Sequence, residues 1–297
     1  LNGRRNGWRF RGNGGMTGQP HRIVMSSPEC YEVCYTINPW MQPDAWDSDR
    51  VAAAQRADRQ WHALAERLRA LDMAIEVVPA APGLPDIVFP ANAAIVLDGR
   101  ALMARFRHPE RRGEEPCFLR FFEALRDRGL IAEIHQMPDG VFQEGAGDCL
   151  WDARRGLFWS AYGPRSMLAA LDQIAKVFSR PVVGLELVTE TYYHLDTCFC
   201  PLSGGEVVYY PPAFSDTAQA LIAAHVPQDQ RIVATDDEAA SFSLNAVNVG
   251  HDLVMTQPPP RLAAILAERG YRVLPVDLSS FVLSGGAAFC MTLRLDL

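Results

Sequence analysis

The sequence predicts an α/β fold in which a hairpin–helix–strand unit recurs and the units form a closed array. Turn signals recur about every fifty residues, and each is followed by a segment of helical periodicity and a short apolar strand. The turns that close the predicted hairpins lie at residues 99, 156, 205 and 250. Because repeated units bury their apolar faces against their neighbours, we expect one continuous core.

The first part of the chain predicts a strand, a long helix and a second strand. Residues 21–25 read as a strand, and apolar side chains at helical spacing predict a helix from about Asp47 to Leu71. Strand Ile75–Val78 follows, before a proline-rich loop. We expect this segment to form a fifth unit with a C-terminal strand, Ala288–Leu295.

Four internal units follow, each with the same order of elements. The predicted hairpins span residues 93–105, 149–160, 195–210 and 246–256. The predicted helices span 114–128, 165–178, 216–225 and 261–268, and the closing strands 131–135, 182–187, 231–234 and 272–276. In a closed array, short loops from different units meet near the central axis and can build one site.

Composition limits the class of protein. The 297 residues are 48% hydrophobic and 21% charged, which excludes a disordered chain or a coiled coil. The net charge of −7, without a basic stripe, argues against nucleic-acid binding, and no apolar run reaches the ~18 residues of a membrane span. We expect one domain over residues 20–297, preceded at 1–15 by a disordered tail or an upstream remnant.

The cysteines predict reduced thiols and a cytoplasmic protein. Their number is odd, and their scattered positions include no C-x-x-C pair, which fits neither a disulfide framework nor a zinc ribbon. We therefore expect no metal site. The seven cysteines are Cys30, Cys34, Cys117, Cys149, Cys198, Cys200 and Cys290.

Polar residues stand in apolar context where turns between units are predicted. Glu144 begins a glycine-rich stretch, and His194 and Asp196, two residues apart, would share one face of a strand. Cys290 follows a Gly-Gly loop, and Asn92 precedes the first hairpin. Taken singly, each has a structural interpretation: a solvated turn, a core histidine, a packed cysteine, a capping asparagine. Together, a thiol, an imidazole and carboxylates suit nucleophilic catalysis on a cationic substrate.

These motifs resemble the guanidine-modifying, or pentein, superfamily. The resemblance rests on F-P-A-N-A (89–93), E-G-A-G-D (144–148), H-L-D-T (194–197) and G-G-A-A-F-C (285–290). Further stretches look like the hydrolase domain of cyanobacterial-type arginine dihydrolases: I-N-P-W-M (37–41), R-F-R-H-P-E-R (105–111) and C-F-C-P-L-S-G-G (198–205). The similarity covers residues 29–295. It implies a five-bladed α/β propeller of ββαβ units around a pseudo-fivefold axis.

The resemblance also implies catalytic roles. Cys290 would be the nucleophile and His194 the general acid and base. Glu144 would hold the guanidinium and orient the imidazole, and Asp196 would bind the guanidinium from the other side. The reaction implied is hydrolysis through a covalent thiouronium on the cysteine, without a metal or an organic cofactor.

Three further positions concern the substrate. Asn92 stands where arginine deiminases and dimethylarginine hydrolases carry an aspartate, and Asn38 matches a second asparagine of the dihydrolase type. Arg105 and Arg165 are the candidates for binding the α-carboxylate of the substrate. An asparagine amide both donates and accepts hydrogen bonds, so Asn92 could hold the neutral ureido group of citrulline for a second attack.

The sequence therefore favours arginine dihydrolysis to ornithine, carbon dioxide and ammonia. Arginine deiminase, dimethylarginine dimethylaminohydrolase and amidinotransferase stay open as alternatives, and so does a pentein-fold binding module without catalysis. Asp196 favours an unmethylated guanidinium, because methyl groups would remove the hydrogens that it binds. The expected partner is a small guanidino compound, and a homo-oligomer is left open.

Overall fold

The computed structural model describes residues 21–297. The tail predicted at residues 1–15 lies outside them. The strands are β1 (Arg22–Ser26), β2 (Ala74–Val78), β3 (Ala94–Leu97), β4 (Arg100–Met103), β5 (Glu133–Gln136), β6 (Cys149–Asp152), β7 (Leu157–Tyr162), β8 (Val182–Glu186), β9 (Phe199–Pro201), β10 (Val207–Tyr209), β11 (Arg231–Val233), β12 (Val247–Val249), β13 (Asp252–Met255), β14 (Arg272–Pro275) and β15 (Leu293–Arg294).

The α-helices are α1 (Pro43–Asp47), α2 (Arg50–Arg69), α3 (Pro109–Arg112), α4 (Glu114–Asp127), α5 (Ala170–Phe178), α6 (Asp216–His225), α7 (Asp236–Ala240), α8 (Pro260–Glu268) and α9 (Ser279–Val282). The 3-10 helices are Pro85–Val88, Pro90–Asn92, Gly145–Gly147, Leu195–Thr197, Pro211–Ala213 and Gln228–Gln230.

The strands of residues 21–297 form five three-stranded sheets with one common order. In each sheet the first strand pairs antiparallel with the second, and the second pairs parallel with the third. A parallel pair needs a crossover, and α2, α4, α5, α6 and α8 supply it. The sheets are β15-β1-β2, β3-β4-β5, β6-β7-β8, β9-β10-β11 and β12-β13-β14. The predicted repeating unit is confirmed.

The two ends of the described chain meet in one of these sheets. Strand β15 pairs antiparallel with β1, as the sequence predicts for the fifth unit. The long helix of this unit, α2, begins after Asp49, whose side chain accepts a hydrogen bond from the backbone N–H of Ala52. Its buried face includes Trp61, whose Nε1 donates to the carbonyl of Ser26 in β1, 2.7 Å away.

Three predicted elements begin at least four residues later than expected. In each case, residues of the polar site occupy the positions before the element. Helix α5 begins at Ala170 rather than 165, since the preceding turn directs Arg165 and Ser166 toward Glu144. Strand β9 begins at Phe199, because residues 195–197 form a 3-10 helix. Strand β15 is limited to two residues, because the turn before it presents Cys290.

Within the described residues, the helices are too short or too polar to cross a membrane.

Candidate active site

Each of the five sheets places a polar side chain just before its first strand. Asn92 precedes β3, Glu144 precedes β6, His194 precedes β9, Asn245 precedes β12 and Cys290 precedes β15. None of these five residues is more than 2% exposed. Because the same end of each sheet carries the polar residue, a repeated fold builds one buried site from five separate parts of the chain.

Cys290 is held by two neighbours. Its thiol donates to Oδ2 of Asp196 at 3.1 Å, and Nδ2 of Asn245 donates to its sulfur at 3.1 Å. The backbone N–H of Cys290 donates to Oδ1 of the same asparagine, also at 3.1 Å. Burial, reinforced by the Asp196 carboxylate, raises the pKa of Cys290 well above its usual value. The thiol therefore stays protonated until a cation approaches it.

Glu144 lies at the centre of a buried charge pair. Its Oε2 accepts hydrogen bonds from Nε2 of His194 at 2.7 Å and from Nη1 of Arg165 at 3.0 Å. Oε1 accepts from the backbone N–H of Arg107 at 3.1 Å. Burial alone would raise the pKa of Glu144, but the Arg165 charge and the hydrogen bond from His194 outweigh it and hold that pKa below its usual range. Glu144 is therefore ionised and orients the imidazole.

Asp196 is equally buried but has no such cation. Oδ2 accepts from the thiol, while Oδ1 accepts no hydrogen bond from any described residue. Burial raises the pKa of Asp196 to about 7, although hydrogen bonds from Cys290 and Asn245 partly oppose the shift. A cationic substrate would provide the charge that this carboxylate lacks.

The amide of Asn92 has a fixed orientation. Its Oδ1 accepts from Nη1 of Arg111 at 2.8 Å, and its Nδ2 donates to the carbonyl of Glu144 at 3.0 Å. Nδ2 also lies 3.5 Å from Nδ1 of His194. Arg111 is itself fixed by two hydrogen bonds to Glu114, of 2.8 and 2.9 Å. The amide oxygen therefore accepts a hydrogen bond from a buried arginine, and the amino group points toward His194.

The two glycines after Glu144 allow this close packing. Gly145 has a φ of +66°, and a Cβ there would overlap the backbone of Ala91 and Asn92. A Cβ on Gly147 would overlap Nδ2 of Asn92. The glycine-rich stretch is therefore a close approach between two sheets rather than a solvated turn.

Several of the predicted residues line one small cavity. Cys290, Asn92, Asn38 and Arg165 line it, and its volume is about 250 Å³, counting space open to solvent. Nδ2 of Asn38 donates to the carbonyl of Ser284 at 3.1 Å, which ties the Asn38 loop to the cysteine loop. Glu144, His194 and Asp196 are not part of the lining and contact the residues that are.

Arg165 lines the small cavity and Arg105 does not. Arg165 is 2% exposed, and its guanidinium lies 4.5 Å from the ring centroid of Tyr193 in the cavity wall. Arg105 instead donates to Asp139, whose side chain is 99% exposed, at 2.9 Å. The structure does not bring Arg105 into the small cavity. Arg111, at the end of the same sequence stretch, lines it instead.

The expected pairing of His194 and Asp196 on one strand face is wrong. His194 precedes a 3-10 helix that contains Asp196, so their side chains diverge. The imidazole contacts Glu144, whereas the Asp196 carboxylate contacts Cys290.

Sequence reasoning missed four residues at the site. Asn245 has a recoverable signal, since it precedes the fourth hairpin as Asn92 precedes the first. Arg111 lies in a stretch that was singled out, but only the turn of α3 shows that it points inward. Asp86 and Tyr193 line the small cavity, and neither carries a sequence signal of its own.

The fold and the site define a class of guanidine-modifying enzymes, and comparisons with known proteins agree. The family model for eukaryotic N,N dimethylarginine dimethylhydrolase matches residues 35–297. The chain belongs to this family, which is hydrolytic.

Two curated relatives differ in their activity. The bifunctional arginine dihydrolase/ornithine cyclodeaminase ArgZ of Synechocystis sp. is 41% identical over 274 residues, covering 92% of this chain. This chain spans only 37% of the length of ArgZ. The N(G),N(G)-dimethylarginine dimethylaminohydrolase of Mycobacterium tuberculosis is 36% identical over 94% of this chain and 87% of its own length.

A solved structure extends the similarity to the fold. The crystal structure of a variant of the ArgZ N-terminal domain, covalently bonded to a reaction intermediate, has a TM-score of 0.87 and 40% identity. It covers 93% of this chain and 97% of that domain.

Proposed function

We propose that this chain hydrolyses free L-arginine to ornithine, carbon dioxide and ammonia, with Cys290 as the nucleophile. The observation that carries the proposal is the arrangement of Asn92, whose Arg111-bound amide lines the same cavity as the thiol. The similarity to ArgZ, an arginine dihydrolase, supports it.

We further propose that residues 20–297 form a single catalytic domain. Its five sheets would close into a five-bladed propeller around a pseudo-fivefold axis. The common strand order of the sheets supports this arrangement. So does a second, larger cavity lined by the first strand of every sheet.

The first step is attack on the guanidinium carbon. The substrate cation between Glu144 and Asp196 lowers the cost of ionising the buried thiol, and charge-assisted hydrogen bonds from the guanidinium to carboxylate oxygens hold it in plane. The thiol releases its proton to solvent, and the Cys290 sulfur forms a bond to the carbon. His194 protonates a terminal nitrogen, the C–N bond breaks, and neutral ammonia leaves. An S-alkylthiouronium on Cys290 results.

Hydrolysis of this intermediate uses the same histidine. Nε2 of His194 is committed to Glu144, so Nδ1, with its long 3.5 Å contact to Asn92, is the nitrogen that exchanges protons. Neutral Nδ1 takes a proton from water, the oxygen bonds to the thiouronium carbon, and the C–S bond breaks. Citrulline and a free thiol are the products.

The second round begins on citrulline in place. Asn92 presents its amino group, a donor suited to the neutral ureido oxygen, where an aspartate would present an acceptor. Cys290 attacks the ureido carbon, ornithine leaves with a proton from His194, and the carbamoyl thioester is hydrolysed to carbon dioxide and ammonia. Each round consumes one water and releases one ammonia.

The test is amino-acid analysis after incubation with L-arginine, L-citrulline or asymmetric dimethylarginine. We expect ornithine from arginine and from citrulline. Citrulline as the sole product from arginine would make the protein a deiminase. Dimethylamine from the methylated substrate, without turnover of arginine, would assign it the activity named for the mycobacterial relative.

A further inference from the structure

The larger cavity lies between the sheets and ends beside the proposed nucleophile. Its volume is about 1100 Å³, counting space open to solvent, and every sheet contributes to its wall. No residue lines both this inter-sheet cavity and the small cavity. Asp196 lines the inter-sheet cavity and contacts Cys290, which lines the small one. The Asp196 carboxylate therefore separates the two.

The inter-sheet cavity runs the length of the sheets. Its lining includes Ala146 and Asp196, which precede first strands at the site end. It also includes Arg154, Ser203 and Gly250, which lie in the hairpin turns at the opposite end and are exposed. The cavity thus extends from solvent at the turn end to Asp196.

The lining suits a small neutral solute better than an ion. Between its two ends the wall is largely aliphatic and aromatic, which penalises an unpaired charge. At the inner end Oδ1 of Asp196, 1% exposed, accepts no hydrogen bond from the described residues. Water and ammonia are both uncharged and small enough for such a space. The wall between the ends includes Val96, Leu150, Phe199, Leu244, Val247 and Leu293.

The proposed hydrolysis requires a path for ammonia and water. We expect an amino acid seated in the small cavity to close the side from which it entered. Ammonia must nevertheless leave the thiouronium and water must reach it while the amino acid is still covalently bound. In dihydrolysis, citrulline must also stay for a second round that again consumes water.

We propose that the inter-sheet cavity is the route by which ammonia leaves and water reaches Cys290 while the amino acid occupies the small cavity. The inference rests on the proposed hydrolysis of a guanidino substrate. Asp196 lies at the inner end, between this cavity and the thiol.

The test obstructs the inter-sheet cavity with substitutions that leave the proposed catalytic residues unchanged. Val96 of β3 lines the cavity and belongs to none of the catalytic segments, so Val96→Phe would fill it and the matched Val96→Ala would widen it. Both variants perturb packing, but only the first obstructs passage. The readouts are kcat for arginine and the fraction of Cys290 carrying the thiouronium adduct at steady state, measured by intact mass after acid quench.

We expect Val96→Phe to lower kcat about tenfold and to raise the adduct fraction, because hydrolysis waits for water. Val96→Ala should retain the wild-type adduct fraction and kcat. A second variant tests the same proposal if Val96→Phe does not fold. Ala153→Trp obstructs the exposed mouth, and Leu168→Trp, at an exposed position outside the lining, is its control.

Two results would overturn the proposal. One is wild-type kcat and adduct fraction in folded Val96→Phe or, if that variant does not fold, in Ala153→Trp. The other is an equal adduct increase in Val96→Ala or Leu168→Trp. A wild-type protein that releases neither ornithine nor citrulline from arginine would refute the proposed function, and this inference with it. Wild-type turnover unaffected by obstruction would refute the route alone.

Discussion

Two carboxylates of the site are equally buried and behave in opposite ways. Glu144 receives hydrogen bonds from Arg165 and His194, and its pKa lies below the usual range. The Asp196 carboxylate accepts a hydrogen bond from the Cys290 thiol instead, and its pKa rises to about 7. The difference shows that burial does not set the role of a carboxylate. Glu144 is ionised because the Arg165 cation lies beside it. We propose that Asp196, which has no such cation, receives the charge of a substrate.

The largest effect is expected from replacing Cys290, whose thiol donates a hydrogen bond to Asp196. Cys290→Ser should lower turnover of arginine on the order of 10⁴-fold or more, because a hydroxyl does not ionise as a thiol does. Ammonia release and thermal unfolding are the measurements. Cys117→Ser, at a position outside the site, is the matched control and should keep wild-type activity. Ammonia release by Cys290→Ser near the wild-type rate would rule out the covalent mechanism.

Glu144→Gln removes the carboxylate that accepts hydrogen bonds from Arg165 and His194. A glutamine leaves the buried Arg165 charge uncompensated, so we expect a loss of about 3 kcal/mol in the free energy of unfolding. Turnover should fall about 100-fold, since the imidazole loses its orienting partner. Denaturant titration and arginine turnover are the measurements.

Glu76→Gln is the matched control, because Glu76 pairs with arginines outside the site. It should lose stability without a comparable loss of turnover. Equal losses of activity in the two variants would mean that Glu144 acts through the fold alone.

Asn92→Asp adds a third carboxylate to the site, beside Glu144 and Asp196. It would pair with Arg111 and present an acceptor where the neutral ureido group needs a donor. The ratio of citrulline to ornithine should rise about tenfold at matched arginine consumption, the equivalent of about 1.4 kcal/mol. Asn248→Asp, at the turn end of the sheets, is the control. Ornithine as the dominant product of Asn92→Asp would show that the amide does not decide the second round.

The last expected effect concerns stability and pH. The pKa of Asp196 is raised from 3.8 to about 7 on folding, so the folded state binds more protons, and stability falls as pH rises through that window. Asp196→Asn removes this penalty. The stability of Asp196→Asn relative to wild type should therefore be greater at pH 8 than at pH 5, by less than about 4 kcal/mol.

Urea unfolding of both proteins at the two pH values is the measurement. Glu144→Gln should show no such gain at high pH, because the pKa of Glu144 shifts the other way. The same stability difference between Asp196→Asn and wild type at pH 5 and pH 8 would contradict the assignment.

The repeating unit was predictable because turn chemistry and apolar periodicity are local properties. The Asp98-Gly99 turn, with φ of 51° and 73°, is one example, and the long helix, capped by Asp49, is another. The thiol, the imidazole and Glu144 were predictable from motifs. The structure places them at the same end of successive sheets.

The remaining parts of the site depend on long-range geometry. Arg105 and Arg111 belong to one arginine-rich stretch, and only the turn of α3 determines which one is buried against Asn92. The direction of Asp196 depends on a 3-10 helix that replaces the start of a strand. The pKa values of Glu144 and Asp196 differ because of contacts more than twenty residues away in sequence, which composition and spacing do not contain.

In the proposed mechanism, Cys290 forms a covalent bond to the guanidino carbon of arginine. The most direct test uses arginine labelled with ¹³C at that carbon, rapid acid quench during turnover and peptide mass spectrometry. We expect the label on the peptide that contains Cys290, in wild type and more abundantly in His194→Ala if hydrolysis slows more than attack. Turnover of arginine with no labelled peptide, or with the label on another cysteine, would contradict it.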